Sequence, residues 1–266
     1  MSLANTMNWN MTMADFEFNR RLEPNGCFIL EANSKPIGLA TCIGYGQVGW
    51  FGNLVVDETT RKLGAGTQLV QHAVTYLKSR GITTVGLYAY QHLEEFYGRI
   101  GFEGDADFVV LKAEAVSAKE NRERNMRLAE VKDLSFVADF DGDCFGGVRK
   151  RLLASILKNP ENIGYVEVKD SRPEGFVAAK VYGDSVEIGP LVCKRSKLKT
   201  AENLLVTVLQ RLDGFEAYMY LPASETSLID IARKRGFTEE FRLRRMILGP
   251  EVAKNCIYSA ESLERG

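Results

Sequence analysis

The chain resembles itself. The segment "RIGF", ending at Phe102, returns as "KRGF", ending at Phe237, and the same shift of 135 residues carries Leu69 onto Leu204 and Val56 onto Leu191. A repeat this long is a whole folding unit, so the sequence predicts one fold built twice. A length of 266 residues suits two domains of ordinary size. Within the first copy, "CFILEA", "KPIGLATCIGYG" and "QVGWFGNLVVD" read as an antiparallel meander of strands. A helix follows, with Leu69, Val70, Ala73, Val74 and Leu77 on one face and Gly81 as its stop signal. Then come a strand "TTVGLYAY", a short helix "HLEEFYGRI" and a strand "FVVLKAEA". The second copy repeats the order from "MRLAEV" to "FRLRRMIL". The fold class is α/β, with a mixed sheet in each copy. Between the copies lies the charged stretch "SAKENRERN", which has no apolar face and reads as a linker over residues 117–125.

Composition removes several classes of function. With 45% hydrophobic and 26% charged residues the chain is an ordinary globular one. A net charge of -1 and a pI near 6.2 do not favour a phosphate backbone, so no nucleic acid partner is expected. Five scattered cysteines without a C-x-x-C pair suggest neither a zinc site nor a disulfide framework, and reduced thiols in the cytoplasm are expected. "MSLANTMNWN" has neither the basic start nor the apolar core of a signal peptide. The apolar window from Leu39 to Val56 contains four glycines with Gln47 and Asn53, and reads as two strands instead of a membrane span.

One loop separates the copies chemically. In "VVDETTRKLGAGTQLV", Gly64 and Gly66 stand between a strand and an amphipathic helix. Backbone N–H groups and the positive end of the helix dipole face one concavity in such a geometry, and that favours an anion. Glycine keeps side chains out of the concavity and permits positive φ. Arg61 and Lys62 are cations placed to pair with phosphate. No G-K-[ST] follows, and no third glycine completes a dinucleotide fingerprint. Under the 135-residue shift Gly64 falls on Lys199, Gly66 on Ala201 and Tyr97 on Ala232, so the second copy has kept the scaffold without the loop.

The register R-x-x-G-x-G after a "VVD" strand, with "FYGRIGF" one helix and one strand later, resembles the GNAT superfamily of N-acetyltransferases. The resemblance runs from about Trp9 to Ala113, and through the repeat to a degenerate unit from about Met126 to Gly249. In the latter, "DGDCFGGVR", "IGPLV" and "RMILG" are similar to the C-terminal domain of two-domain GNAT proteins. It implies acyl transfer from acetyl-coenzyme A (acetyl-CoA) to an amine, directly and without a metal. The pantetheine arm would pair with backbone at Val55 and Val56. The pyrophosphate would lie on the amides of Arg61, Lys62, Leu63, Gly64, Ala65, Gly66 and Thr67. Tyr97 takes the place of the family's general acid, whose phenol protonates the departing thiolate.

The chemistry also needs a neutral amine, and here the sequence departs from the family. Many relatives carry a carboxylate on the strand before the loop, where this chain reads "WFGN"; Trp50, Phe51 and Asn53 cannot take a proton. Glu94, Glu187 and Asp141 are the alternatives, each with an ordinary structural reading beside it. Tyr90 replaces a small polar residue, His92 lies close to the motif, and His72 is isolated within a helix. Cys193 has no histidine in its half of the chain to activate it. Arg242 and Arg244 share one strand face with Arg245 opposite, a pattern that suits salt bridges or edge solubility.

The expected scheme is a catalytic unit over residues 1–116 that binds acetyl-CoA, and a degenerate unit over 126–266 that walls the acceptor pocket. The acceptor is a small molecule or peptide amine, with no membrane partner. A non-catalytic acyl-CoA-binding regulator and a protein-interaction scaffold remain as alternatives.

Overall fold

The computed structural model describes residues 13–117, 126–170, 172–252 and 255–266. The linker expected over 117–125 lies outside them apart from Ser117. The first copy contains α1 (Met13–Leu22), β1 (Cys27–Ala32), β2 (Lys35–Tyr45), β3 (Val48–Val56), α2 (Ala65–Ser79), β4 (Thr84–Tyr90), α3 (Glu94–Gly98) and β5 (Glu103–Ala113). Helix α2 buries the five residues of its predicted apolar face. The second copy contains β6 (Met126–Leu128), α4 (Leu134–Phe145), α5 (Lys150–Lys158), β7 (Ile163–Lys169), β8 (Arg172–Tyr182) and β9 (Ser185–Lys194). It continues through α6 (Leu198–Leu209), β10 (Glu216–Pro222), α7 (Thr226–Arg233), β11 (Thr238–Leu248) and β12 (Cys256–Ser259). Among the described residues no helix is long and apolar enough to cross a membrane.

The two copies share one sheet. Its order is β1-β2-β3-β4-β11-β5-β10-β9-β8-β7-β6, with β12 beside β9 off that path. Each copy therefore gives its closing strand to the other: β11 pairs with β4, and β5 pairs with β10. The exchanged strands meet as an antiparallel pair in which Phe108 stands opposite Leu243. Those two residues are equivalents under the 135-residue shift, so a pseudo-twofold axis passes between them. Helices α2 and α6 cover the outer parts of one sheet face, each over its own apolar cluster. Helices α4 and α5 cover the other face, where a single cluster joins Trp50 and Ile43 of the first copy to Val166, Phe176 and Tyr220 of the second.

Each copy also opens its sheet at one place. Strands β3 and β4 are parallel and pair only from Val48 to Trp50 along β3. Beyond that the register with β2 slips between Leu39 and Thr41, and Asn53 takes a positive φ of 53°. This bulge bends β3 away from β4. In the second copy β9 and β10 pair as far as Ile188 and Met219, and a slip at Gly189 and Pro190 bends β9 in the same way. There the opening is filled: β12 runs antiparallel along β9, placing Ser259 opposite Leu191 and Cys256 opposite Lys194. The backbone of Ala260 then donates to Tyr220 of β10.

Two features of this region correct the sequence reading. Helix α4 and strand β12 were not expected, because "LSFVADFDGDCF" interrupts its apolar face with acids and glycine, and β12 is only four residues long. The expectation of five reduced thiols fails for two of them: Cys144 of α4 and Cys256 of β12, 112 residues apart, form a disulfide with their Cα atoms 5.5 Å apart. Spacing along the chain carries no trace of that proximity. Cys27, Cys42 and Cys193 are free.

Candidate active site

A cavity of about 1070 Å³ enters the sheet at the β3–β4 opening. Phe51, Leu87 and Tyr97 line it from the core beneath α2, while Tyr88, Ile156 and Tyr220 line it from the core on the opposite face. The cavity thus runs through the sheet, and both copies contribute walls.

Tyr97 is placed by α3, a single turn too short to stand alone, which the aromatic contacts of Phe96 and Phe102 hold against the core. The ring is buried, with 5% of its surface exposed, yet it lines the cavity. Burial pushes its phenol above the ordinary value of 10.0, so the group carries its proton throughout the neutral range. It can donate a proton to a leaving group. Tyr90 and His92 stack at the same cavity wall with ring centroids 5.8 Å apart.

The glycine loop lies past the end of the cavity lining. Val55 is buried against Leu39, and Val56 follows it into the turn. Asp57 caps that turn by accepting from the amide of Thr59, and Arg61 donates from Nε to the carbonyl of Val56 at 3.2 Å while meeting Glu58. Gly64 caps α2 in the left-handed region at φ 90°, where a side chain would be strained. No side-chain cap satisfies the first turn of α2. Among the described residues the amides of Gly64, Ala65, Gly66 and Thr67 have no backbone acceptor. They form a row of unsatisfied donors at the start of a 15-residue helix, the arrangement an anion completes. A Cβ on Gly64 would meet nothing within 4 Å, so no protein atom occupies the space in front of it. Lys62 and Leu63 are exposed beside the row, but the amides of Arg61 and Leu63 already donate to the carbonyls of Glu58 and Thr60, so the cradle expected from Arg61 to Thr67 is reduced at those two positions.

The other candidates separate clearly. Asp141 is fully buried in a bidentate pair with Arg149, at 2.6 and 3.0 Å, and is structural. Glu94 does not line the cavity, whereas Glu187 does. Cys193 is buried, its thiol pushed up to about 12 by desolvation, which removes it as a nucleophile. Arg242, Arg244 and Arg245 each pair with an acid, Glu239, Asp107 and Asp105 respectively. His72 packs edge-on against Phe28, away from the cavity. Among the described residues no three His, Cys, Asp or Glu side chains are gathered to hold a metal ion.

What the sequence did not reveal is the segment that follows β12. Residues 260–266 cross the pseudo-axis, and Leu263, Glu264 and Arg265 line the cavity. The carbonyl of Leu263 accepts from Trp50 Nε1 at 3.3 Å. A Cβ on Gly52 would stand 2.6 Å from the Cα of Glu264, so glycine in "WFGN" is what lets this segment lie against β3. No periodic or motif signal links positions so far apart in the chain.

An α/β unit with a splayed parallel strand pair, a glycine-capped helix and a buried tyrosine facing the opening is the acyl-CoA acetyltransferase type of fold. Family models bear this out. The acetyltransferase (GNAT) family model matches residues 3–102, and a second acetyltransferase (GNAT) domain model matches residues 137–259. Together they span most of the chain, which belongs to the GNAT family and carries two such domains. An N-acetyltransferase of Methanocaldococcus jannaschii, itself uncharacterised, is 33% identical over 102 residues; the match takes in 33% of this chain and 43% of that one. The chain therefore spans less than half the length of this relative. Among solved structures, a protein of Pyrococcus horikoshii assigned to the acetyltransferases superposes with a TM-score of 0.80 at 20% identity, over 98% of this chain and 88% of its own. A GCN5-related N-acetyltransferase of Sphaerobacter thermophilus gives 0.61 at 17% identity, over 90% and 87%. A tandem GNAT protein of the clavulanic acid biosynthesis pathway gives 0.55 at 14% identity, over 88% of each chain. These likenesses concern the fold.

Proposed function

We propose that the protein is an N-acetyltransferase that moves an acetyl group from acetyl-CoA to an amine by direct transfer, using the first copy alone for the co-substrate. The observation that carries this reading is the β3–β4 opening, which has a row of unsatisfied amides at one end and Tyr97 at the other. Acetyl-CoA supplies an activated thioester. The amides from Gly64 to Thr67, with Lys62 beside them, hold the pyrophosphate. The outer edge of β3 at Val55 and Val56, unpaired on the β4 side, orients the pantetheine arm. Tyr97 gives its proton to the departing sulfur, a role suited to a phenol kept protonated by burial.

The second copy has no room for the same arm, because β12 already pairs with β9 where the arm would lie. Its part is to wall the acceptor pocket, a common use of the surface between two rigid bodies. The test has two readings from one preparation. Calorimetry should give one coenzyme A site per chain, and acetyl-CoA should release its thiol only when a primary amine is supplied. Binding without thiol release across a broad set of amines would make the protein a non-catalytic acyl-CoA binder; two equivalent sites would overturn the assignment of the site to the first copy.

A further inference from the structure

The segment that crosses the pseudo-axis brings a group of charges to the cavity. Lys180 of β8 donates to Glu187 of β9 at 2.6 Å and pairs with Glu261. Arg265 donates from Nε to Glu261 at 2.9 Å, pairs with Glu264, and stands 3.7 Å from Glu187. Two cations thus face three carboxylates, of which Glu261 is fully buried while Glu187 and Glu264 keep 16% and 21% of their side-chain surface exposed at the cavity. Buried charge is tolerated only when it is paired, and this cluster is one positive charge short.

The geometry identifies which carboxylate is left over. Glu261 engages both oxygens, one with Lys180 and one with Arg265. Glu187 engages both as well, accepting from Tyr220 Oη at 2.7 Å and from Lys180. Among the described residues Glu264 engages one oxygen only, with Arg265. Its side chain keeps 21% of its surface exposed where that of Glu261 keeps none. Glu264 lines the cavity, and its backbone lies against Gly52 of β3, the stretch in which a carboxylate was missing. Tyr88, Tyr90, Tyr218 and Phe241 surround the same space.

We infer that Glu264 receives the ammonium group of the acceptor and takes its proton before transfer, so that the acceptor is a cationic primary amine with an aromatic or apolar body. The free oxygen of Glu264 accepts one N–H of the ammonium and completes the charge of the cluster. The proton moves to that oxygen and the nitrogen lone pair attacks the thioester carbon. As the C–S bond breaks, the sulfur takes the Tyr97 proton, the nitrogen sheds its second proton to restore the Tyr97 phenol, and the Glu264 carboxylic acid returns its proton to solvent through the cavity. Burial and the neighbouring Glu187 and Glu261 raise the affinity of Glu264 for a proton, against Arg265 and Lys180, which lower it. Aromatic rings around the site add attraction for a cation. This inference rests on the amine-acetyltransferase reading above, and its first test is independent of turnover.

The probes are tyramine and tyrosol, which differ by an ammonium and a hydroxyl, titrated calorimetrically into the full chain at pH 7. The expected result is that tyramine binds about tenfold or more tightly than tyrosol, the range for a hydrogen bond to a charged group, and that Glu264→Gln brings the two within about twofold. The variant should melt no lower than the parent, since its cluster balances two cations with two carboxylates. Equal affinity of the parent for both probes, or a preference retained in Glu264→Gln, would overturn the inference, as would failure of tyramine to bind. Charge-dependent binding of tyramine, with no acetyl transfer to it or to any of the broad set of amines, would sink the transferase reading and leave the site standing. Transfer at parental rate by Glu264→Gln would do the reverse.

Discussion

For the general-acid role proposed for Tyr97, one environment would serve two purposes. A phenol among apolar side chains loses the solvation of its anion, so burial alone holds its proton in place. The side chain nonetheless lines the cavity, where a leaving sulfur would need that proton. Tyr97→Phe is therefore expected to lower kcat by about 10²–10⁴-fold while coenzyme A affinity changes little, as read by steady-state kinetics beside calorimetry. In the parent enzyme no loss of rate assignable to this phenol should appear below pH 10, its ordinary value. An unchanged kcat in the phenylalanine variant, with chemistry limiting, would remove Tyr97 from the mechanism. Tyr97 and the glycines were legible in the sequence because each is tied to a local pattern, a strand, a turn or a short helix. Glu264 was not, since its place at the cavity follows from contact with Gly52, more than two hundred positions earlier. Glu187 was visible only as one carboxylate among several until Lys180 and Tyr220 fixed both its oxygens.

At the scale of elements, the two openings in the sheet are the same device put to different use. In the first copy β3 beyond Trp50 is left unpaired on the β4 side; in the second, β12 pairs with the corresponding part of β9. Substitutions separate the reasons for the two glycines of the loop. Gly64→Ala meets no neighbouring atom but must hold positive φ, so a loss of about 1–2 kcal/mol in stability is expected from denaturant unfolding. Gly66→Trp would project across the amide row beside Phe96, which a Cβ already approaches at 3.4 Å, and should abolish coenzyme A binding in a chain that still folds. Full binding by that variant would remove the row as the pyrophosphate site. Strand β12 is held by the Cys144–Cys256 disulfide, which closes a long loop across 112 residues. Breaking it with Cys256→Ala should lower unfolding free energy by about 2–4 kcal/mol, and reductant should lower the parent by a similar amount and the variant not at all. Equal stability of parent and variant under oxidising conditions would show that β12 is held by its ladder alone.

At the scale of the molecule, the repeat foretold two copies of one fold and could not foretell their exchange of strands. An alternating or apolar run specifies which face of a strand is buried, and it leaves the identity of the neighbour to long-range geometry. The run "FVVLKAEA" reads the same whether β5 pairs within its own copy or, as it does, with β10 and β11 of the other. Within residues 1–116, β4 keeps β3 as a neighbour and loses β11, while β5 loses both of its partners. Phe108, Val109, Val110 and Leu111, each at most 2% exposed in the whole chain, would then stand on a strand with no ladder. An exposed apolar edge of that kind seeks another chain. A fragment of residues 1–116 is therefore expected to lack a stable monomer and to associate, with two copies able to exchange β5 as the two halves of the full chain do. Light scattering and thermal melts of the fragment, set beside the full chain, decide this. A monomeric fragment that melts cooperatively and keeps the coenzyme A affinity of the full chain would show that the first copy is self-sufficient, and that the exchanged strands join two domains that need no such joining to fold.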